Sequence, residues 1–344
     1  MIRLGLIGCG GMGAVHRRAL EALGDCARVT AAVDIDASRA KSAAATLGAE
    51  RWTTDYREAL EDMDAALVAL PHHLHHPVGM DLLAAGKHLL LEKPLAIDEA
   101  QCLDLIDAAQ TANRTLMVAY CMRYHPLLEE MEAILRSQRY GPCFQLSIWT
   151  EQHTQRRPGS WIHRAATLGG GQLFSHGCHY IDILLAWMGR PVSGVHVGTN
   201  TGTPWMEAEG TSNVSLTFAS GALGYHFGTW GARGTRLQYA FHAHCTEAMV
   251  EAQVTRGRLL VHRGALEEEK GREQLLLETP PGKHVERELA HFVHCVESGE
   301  RPLTDGARSL QSLRVIWRLY EAEKQGFVAD LRGLGMEDAP MDER

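Results

Sequence analysis

Apolar runs alternate with amphipathic stretches along the first 120 residues. IRLGLI (2–7), VTAAVD (29–34), DAALVAL (64–70), KHLLLE (87–92) and TLMVAY (115–120) are short and nearly all apolar between their ends. Such runs suit strands buried on both faces. Between them lie helical patterns over 11–24, Ser38–Leu47 closed by Gly48, His75–Ala85 capped by Gly86, and Ala96–Asn113. Strand and helix in strict alternation predict a parallel, doubly wound α/β sheet.

The pattern changes near residue 123. A helix over Pro126–Ser137 leads to the strand CFQLSIW (143–149), then a polar loop, the run Gly169–Gly171 and a helix reaching Trp187. From 192 to 277, short runs separated by glycine (VSGVHVG, TSNVSLTF, ALGYHFGTW, RLQYAFHA, RLLVHR) predict a large, mostly antiparallel sheet. Helices follow at about 283–298 and 305–325, and the last dozen residues read as frayed. The expected architecture is a domain over 1–122 followed by an α+β domain over 123–344.

Composition narrows the function. A formal charge of -8 lacks the excess of basic residues that nucleic-acid binding needs. No apolar run approaches the length of a membrane span, and MIRLGLIG lacks the layout of a secretory signal. Eight cysteines without a CxxC spacing read as scattered reduced thiols of a cytoplasmic protein.

Gly8-Cys9-Gly10-Gly11-Met12-Gly13 fits GxGxxG between a strand and a helix. In that context Gly8 permits the tight turn, Gly10 lets a pyrophosphate approach the backbone, and Gly13 lets helix and strand pack closely. Gly11 and Met12 begin the helix whose N-terminus would face the phosphates. Asp34 ends the next strand, where its carboxylate would accept hydrogen bonds from ribose hydroxyls and repel a 2′-phosphate. NAD is therefore expected over NADP, with Arg39 the nearby residue that would favour the phosphorylated form.

Three further segments carry chemistry: Pro71-His72-His73-Leu74-His75-His76-Pro77, Glu92-Lys93-Pro94, and Gly169-Gly170-Gly171 followed by Ser175-His176-Gly177-Cys178-His179-Tyr180-Ile181-Asp182. With GCGGMG, AAGKHLLLEKPLA (84–96) and the closing SGERPLTDGARSLQSLRVIWRLYEAEKQG (298–326), the chain resembles the Gfo/Idh/MocA oxidoreductases, the family of glucose-fructose oxidoreductase and inositol dehydrogenase. The resemblance covers nearly the whole chain. It implies a Rossmann domain, NAD(P), a sugar or polyol substrate, and a homodimer or homotetramer built on the C-terminal sheet.

By that resemblance Lys93 matches a catalytic lysine that steadies a developing oxyanion. His179 matches a catalytic histidine that exchanges the hydroxyl proton. Pro71, His72, His75, Glu92 and Lys93 fall on the cofactor side. Lys93, Arg123, Trp161, Ser175, His176, His179 and Asp182 fall on the substrate side. Arg156 and Arg157 share the Trp161 loop, where they would suit an anionic sugar. The Lys93-Pro94 peptide matches a cis bond in relatives. Neither the His72/His73/His75/His76 group nor His176 with His179 and Asp182 is expected to hold metal. Many dehydrogenases of the family carry Asp four residues before the histidine, where this chain has Ser175. That departure leaves open an NAD-dependent glycoside cleavage through a transient keto-sugar. A non-catalytic nucleotide-sensing regulator of the same fold is the third reading.

Overall fold

The structure, a computed structural model, describes residues 1–21, 23–24, 26–264 and 273–334. Most of the C-terminal stretch read as frayed (335–344) lies outside the described residues. Two compact units form. One comprises Met1–Tyr124, Thr167–Gly169 and His284–Leu310; the other comprises His125–Ala166, Gly170–Lys283 and Gln311–Arg344. The first unit therefore takes in a late segment that the sequence reading assigns to the second domain.

In the first unit β1 (Ile2–Ile7), α1 (Gly11–Leu20), β2 (Ala27–Val33), α2 (Ala37–Leu47), β3 (Arg51–Thr53), β4 (Ala65–Val68), α3 (His75–Ala84), β5 (His88–Glu92), α4 (Glu99–Thr111) and β6 (Leu116–Ala119) follow in order. The strands are all parallel in the order β3-β2-β1-β4-β5-β6. The order reverses between β1 and β4, and ligands bind at the carboxyl ends of strands at such a switch point. The apolar strand runs are the core: Leu4, Ala31, Ala66, Leu90 and Val118 have no exposed surface. The two-residue β-face alternation is missing because helices cover both faces. The short β3 and a 3-10 segment at Tyr56–Asp62 escaped the sequence pattern. Arg51 and Trp52 of β3 are exposed, as befits an edge strand.

The second unit contains α5 (Pro126–Arg136), β7 (Cys143–Glu151), the four-residue α6 (Ala165–Leu168, which crosses the unit boundary), a π-helical turn (Leu173–Gly177), α7 (Cys178–Met188) and β8 (Pro191–Thr199). Then come β9 (Thr211–Phe218), β10 (Leu223–Thr229), β11 (Tyr239–Cys245), β12 (Met249–Gln253), β13 (Arg258–His262) and β14 (Glu273–Glu278). α8 (Val285–Ser298) belongs to the first unit, and α9 (Gly306–Gln325) and β15 (Ala329–Asp330) complete the described chain. The sheet order is β14-β13-β12-β11-β7-β10-β9-β8-β15, antiparallel except where β7 meets β10. β9 alternates buried and accessible residues, so one sheet face is covered and the other is not.

Pairing across this sheet also qualifies the picture of scattered thiols. Cys143 and Cys245 are register partners across β7 and β11, both unbridged.

Candidate functional site

The glycine turn after β1 is built by contact. Gly8 has φ +94°, and a Cβ on it would lie 2.3 Å from the Ala69 carbonyl oxygen. A Cβ on Gly13 would lie 2.0 Å from the Gly8 carbonyl oxygen. These two glycines are required by the protein itself. Gly10 and Gly11 differ: around Gly10 the nearest atom to an added Cβ is an Arg39 guanidinium nitrogen at 4.0 Å, and around Gly11 nothing lies within 4 Å. The space beside them is open to a ligand.

Helix α1 starts at Gly10 without a side-chain cap, whereas Asp36 caps α2 and Asp98 caps α4. Uncapped N–H groups in the first turn of α1, with Met12 half-buried, form an anion-binding end. Asp34 is buried and held by its backbone donors: Cys9 N–H donates to Oδ2 at 2.8 Å and Asp36 N–H to Oδ1 at 2.9 Å. Burial and the nearby Asp34 carboxylate push the Cys9 thiol up to about 11, so it stays protonated. Arg39 pairs with Asp36 at 3.4 Å, close to the Gly10 turn. The donor end, the open glycines and the fixed carboxylate fit a dinucleotide.

Sequence reasoning missed Ile35, which is 94% exposed directly beside Asp34. An apolar side chain between two acids in VDID was the available signal.

Lys93 follows β5, and the glycine turn follows β1, so both stand at the carboxyl edge of one parallel sheet. Glu92 is buried; its Oε1 meets His16 Nε2 at 2.7 Å and its Oε2 accepts the Lys93 N–H at 3.2 Å. This carboxylate ties α1 to the Lys93 backbone. The Lys93-Pro94 bond is cis.

In the histidine segment after β4, His72 and His75 meet backbone carbonyls of this unit. Pro71 starts a 3-10 turn over His72–Leu74. His72 is buried with Nδ1 2.8 Å from the Leu168 carbonyl oxygen. His75 is fully buried between the Pro94 carbonyl oxygen (Nδ1, 2.7 Å) and the Leu70 carbonyl oxygen (Nε2, 3.0 Å). Burial drives both imidazoles below the ordinary histidine range. A neutral ring has one N–H, so His75 donates to one carbonyl only. Both its nitrogens face backbone carbonyls. Arg123 is buried on the 3-10 turn Cys121–Tyr124.

In the second unit Ser175 and His176 lie on the π turn, and His179 and Asp182 on α7; all four are buried. The His176 and His179 ring centroids are 6.0 Å apart, edge to face. Tyr180 lies 5.2 Å and Tyr239 6.0 Å from the His176 ring. The Gln172 amide nitrogen is 3.3 Å from His176 Nδ1, while its oxygen accepts the Ser212 hydroxyl at 3.0 Å. An amide nitrogen only donates, so Nδ1 is the acceptor in this contact. Tyr180 stacks on His226, whose burial takes its pKa down to about 3. Tyr239 and His226 carried no sequence signal, because their positions depend on sheet register; Gln172 lies in the glycine segment at the start of the π turn but takes no role from the sequence. Trp161 stands half-exposed on a 3-10 turn (Trp161–His163), and Arg156 and Arg157 are exposed. Among the described residues no group of three His, Cys, Asp or Glu side chains is arranged to hold a metal ion. No described helix is long and apolar enough to cross a membrane.

Residues 2–120 match the model of an oxidoreductase family with an NAD-binding Rossmann fold, and residues 128–251 match the GFO/IDH/MocA C-terminal domain. Inositol 2-dehydrogenase 2 of Saccharopolyspora erythraea is 30% identical over 227 residues, covering 64% of this chain and 65% of that protein, slightly under two thirds. D-xylose 1-dehydrogenase (NADP(+)) 2 of Haloferax volcanii is 26% identical over 86% of this chain and 90% of its own length. A solved levoglucosan dehydrogenase in complex with NADH shares the fold, with a TM-score of 0.84 at 22% identity over 96% of this chain and 99% of that one.

Proposed function

The chain belongs to the Gfo/Idh/MocA oxidoreductase family, and from that membership we propose that it is a dehydrogenase or reductase acting on a CH–OH carbon of a sugar, inositol or related polyol, with NAD preferred to NADP. The observation that carries the reading is the open Gly10–Gly11 turn, flanked by Asp34 and set on the same sheet edge as Lys93. The relatives named for inositol and xylose support the substrate class.

Nicotinamide supplies a hydride acceptor or donor when bound. The first turn of α1, with Gly11 and Met12, would hold the pyrophosphate. Asp34 would hold the ribose hydroxyls, and its fixed charge disfavours a 2′-phosphate. Ile35 would cover the adenine. Lys93 Nζ would donate to the reacting oxygen and oppose its developing charge. His179 would take the hydroxyl proton during oxidation and return it during reduction. Arg123, Trp161, Ser175, His176 and Asp182 would contact the remaining hydroxyls. Serine at 175 brings a hydroxyl in place of a charge, so the acid–base work rests on His179 and its neighbour His176. The outer face of the second sheet leaves Val195, Val197 and Leu223 exposed, and we place a homodimer or homotetramer contact there.

The test is a panel of sugars, inositols, polyols and glycosides with NAD and NADP, read at the absorbance of the reduced nicotinamide. Net reduction with a polyol or sugar is expected. Glycoside cleavage without net reduced cofactor, or cofactor binding with no turnover across the panel, would overturn the dehydrogenase reading.

A further inference from the structure

The start of the helix that carries His176 and His179 is held by two residues from distant parts of the second unit. Helices open with backbone N–H groups that have no partner within the helix. Here the Gly171 and Phe174 N–H groups donate to the Tyr320 hydroxyl oxygen at 3.3 and 3.2 Å. The Leu173 N–H donates to Glu209 Oε1 at 3.1 Å, and the Gln172 N–H donates to the Glu209 carbonyl oxygen at 2.7 Å. The Tyr320 hydroxyl in turn donates to Glu209 Oε1 at 2.6 Å. Four consecutive N–H groups are thus satisfied by one glutamate from the β8–β9 connection and one tyrosine from α9.

The glycine run makes this approach feasible. A Cβ on Gly171 would lie 1.9 Å from Glu209 Oε2, and one on Gly170 would lie 3.1 Å from the Tyr320 ring. Behind Glu209, Glu323 accepts from the Gly198 N–H at 2.8 Å and meets His196 Nδ1 at 2.7 Å. The charged and titratable groups around the glutamate are therefore Tyr320 and Glu323 of α9 and His196 of β8. Burial pushes the Glu209 carboxyl up to about 7. Its capping bonds need an acceptor oxygen, not a full charge. The capped residues run into the π turn Leu173–Gly177, which bears Ser175 and His176. Such turns recur at functional sites, because they rotate the following side chains away from α-helical register.

We propose that Glu209 and Tyr320 are positioning residues for the reaction, fixing the start of this helix, and through it the orientation of His176 and His179, without touching substrate. The proposal rests on the reading of His179 as the proton-exchanging group. It deepens that reading by naming what sets the imidazole's geometry.

The test uses the full chain with myo-inositol or D-xylose, whichever the panel turns over, and two readouts. Tyr320→Phe keeps the ring and removes the hydroxyl. It is expected to lower kcat at least about tenfold with little change in NADH affinity. Glu209→Leu should behave alike, and Glu209→Gln should restore most of the lost turnover, because an amide oxygen accepts the same two bonds. Independently of turnover, the His176 and His179 ring resonances of histidine-labelled protein should shift in Tyr320→Phe, while those of His72 and His75 hold. If Tyr320→Phe does not fold, the contrast between Glu209→Gln and Glu209→Leu decides. Unchanged kcat and unchanged ring resonances in folded Tyr320→Phe, alongside an inactive His179→Ala, would overturn the positioning role and leave the functional reading standing. A fully active His179→Ala would overturn the functional reading; the ring resonances would still report on the cap.

Discussion

At the scale of single residues the demands differ sharply between neighbours. In the proposed reaction Lys93 would steady the oxyanion and His179 would exchange the proton. Lys93→Met and His179→Ala are each expected to lower turnover at least about tenfold, about 1.4 kcal/mol of barrier, while NAD binding measured by fluorescence persists. Near-normal turnover in either variant removes that role. The glycines divide the other way. Gly13→Ala would put a methyl 2.0 Å from the Gly8 carbonyl oxygen, so it is expected to destabilise the first unit by well over about 1 kcal/mol and to weaken cofactor binding. Gly11→Ala meets nothing within 4 Å; its fold should survive, with any loss confined to cofactor affinity. Calorimetric unfolding of the two variants separates these outcomes. Asp34→Ser should shift the ratio of kcat/KM from NAD toward NADP by about tenfold or more, the equivalent of about 1.4 kcal/mol. A ratio that stays put would mean that Asp34 does not set cofactor choice.

At the scale of elements, what the sequence placed on α7 the structure divides between a π turn and an α-helix. Hydrophobic periodicity cannot show this, and the N–H groups at the start of the turn are met by Glu209 and Tyr320, far along the chain. The Glu209 carboxyl provides a stability signature. Its folded pKa of about 7 lies above the ordinary 4.5, so the folded chain binds this proton more tightly than the unfolded chain does. The resulting stabilisation is complete below pH 4.5 or so, and is lost as pH rises through about 7. Wild-type protein should therefore lose stability relative to Glu209→Gln across that window, by roughly 3 kcal/mol at most. Parallel denaturation curves of the two proteins at pH 5 and pH 8 measure the difference; no divergence would mean that Glu209 is not buried as described.

At the scale of the whole molecule, the nucleotide-binding unit is completed by residues far along the chain. Val118 N–H donates to the Thr304 carbonyl oxygen at 2.9 Å, and the Thr304 hydroxyl donates to the Val118 carbonyl oxygen at 2.7 Å. The Arg287 guanidinium donates to the Tyr124 carbonyl oxygen at 3.0 Å, and α8 packs on α1. A fragment ending at residue 124 should consequently lack the full chain's cooperative unfolding transition in circular dichroism; a fragment with full cooperativity would show the late segment to be dispensable. The chain should sediment as a dimer or tetramer, and Val197→Lys with Leu223→Lys should reduce its mass in light scattering. The sequence by itself determined the parallel sheet, the glycine turn and Asp34, because these are local: an apolar run of strand length, a turn that excludes a Cβ, an acid closing the next strand. It also marked Lys93 and His179, through motifs that are short and continuous. It could not show that His75 lies between two backbone carbonyls, that the Gln172 amide meets His176, or that Glu209 and Tyr320 cap the start of the helix that bears the histidines. The His75 ring depends on Pro94, 19 residues on, and the Gln172 amide on Ser212, 40 residues on, while Glu209 and Tyr320 lie 36 and 146 to 149 residues from the N–H groups they cap; only tertiary packing brings such partners together.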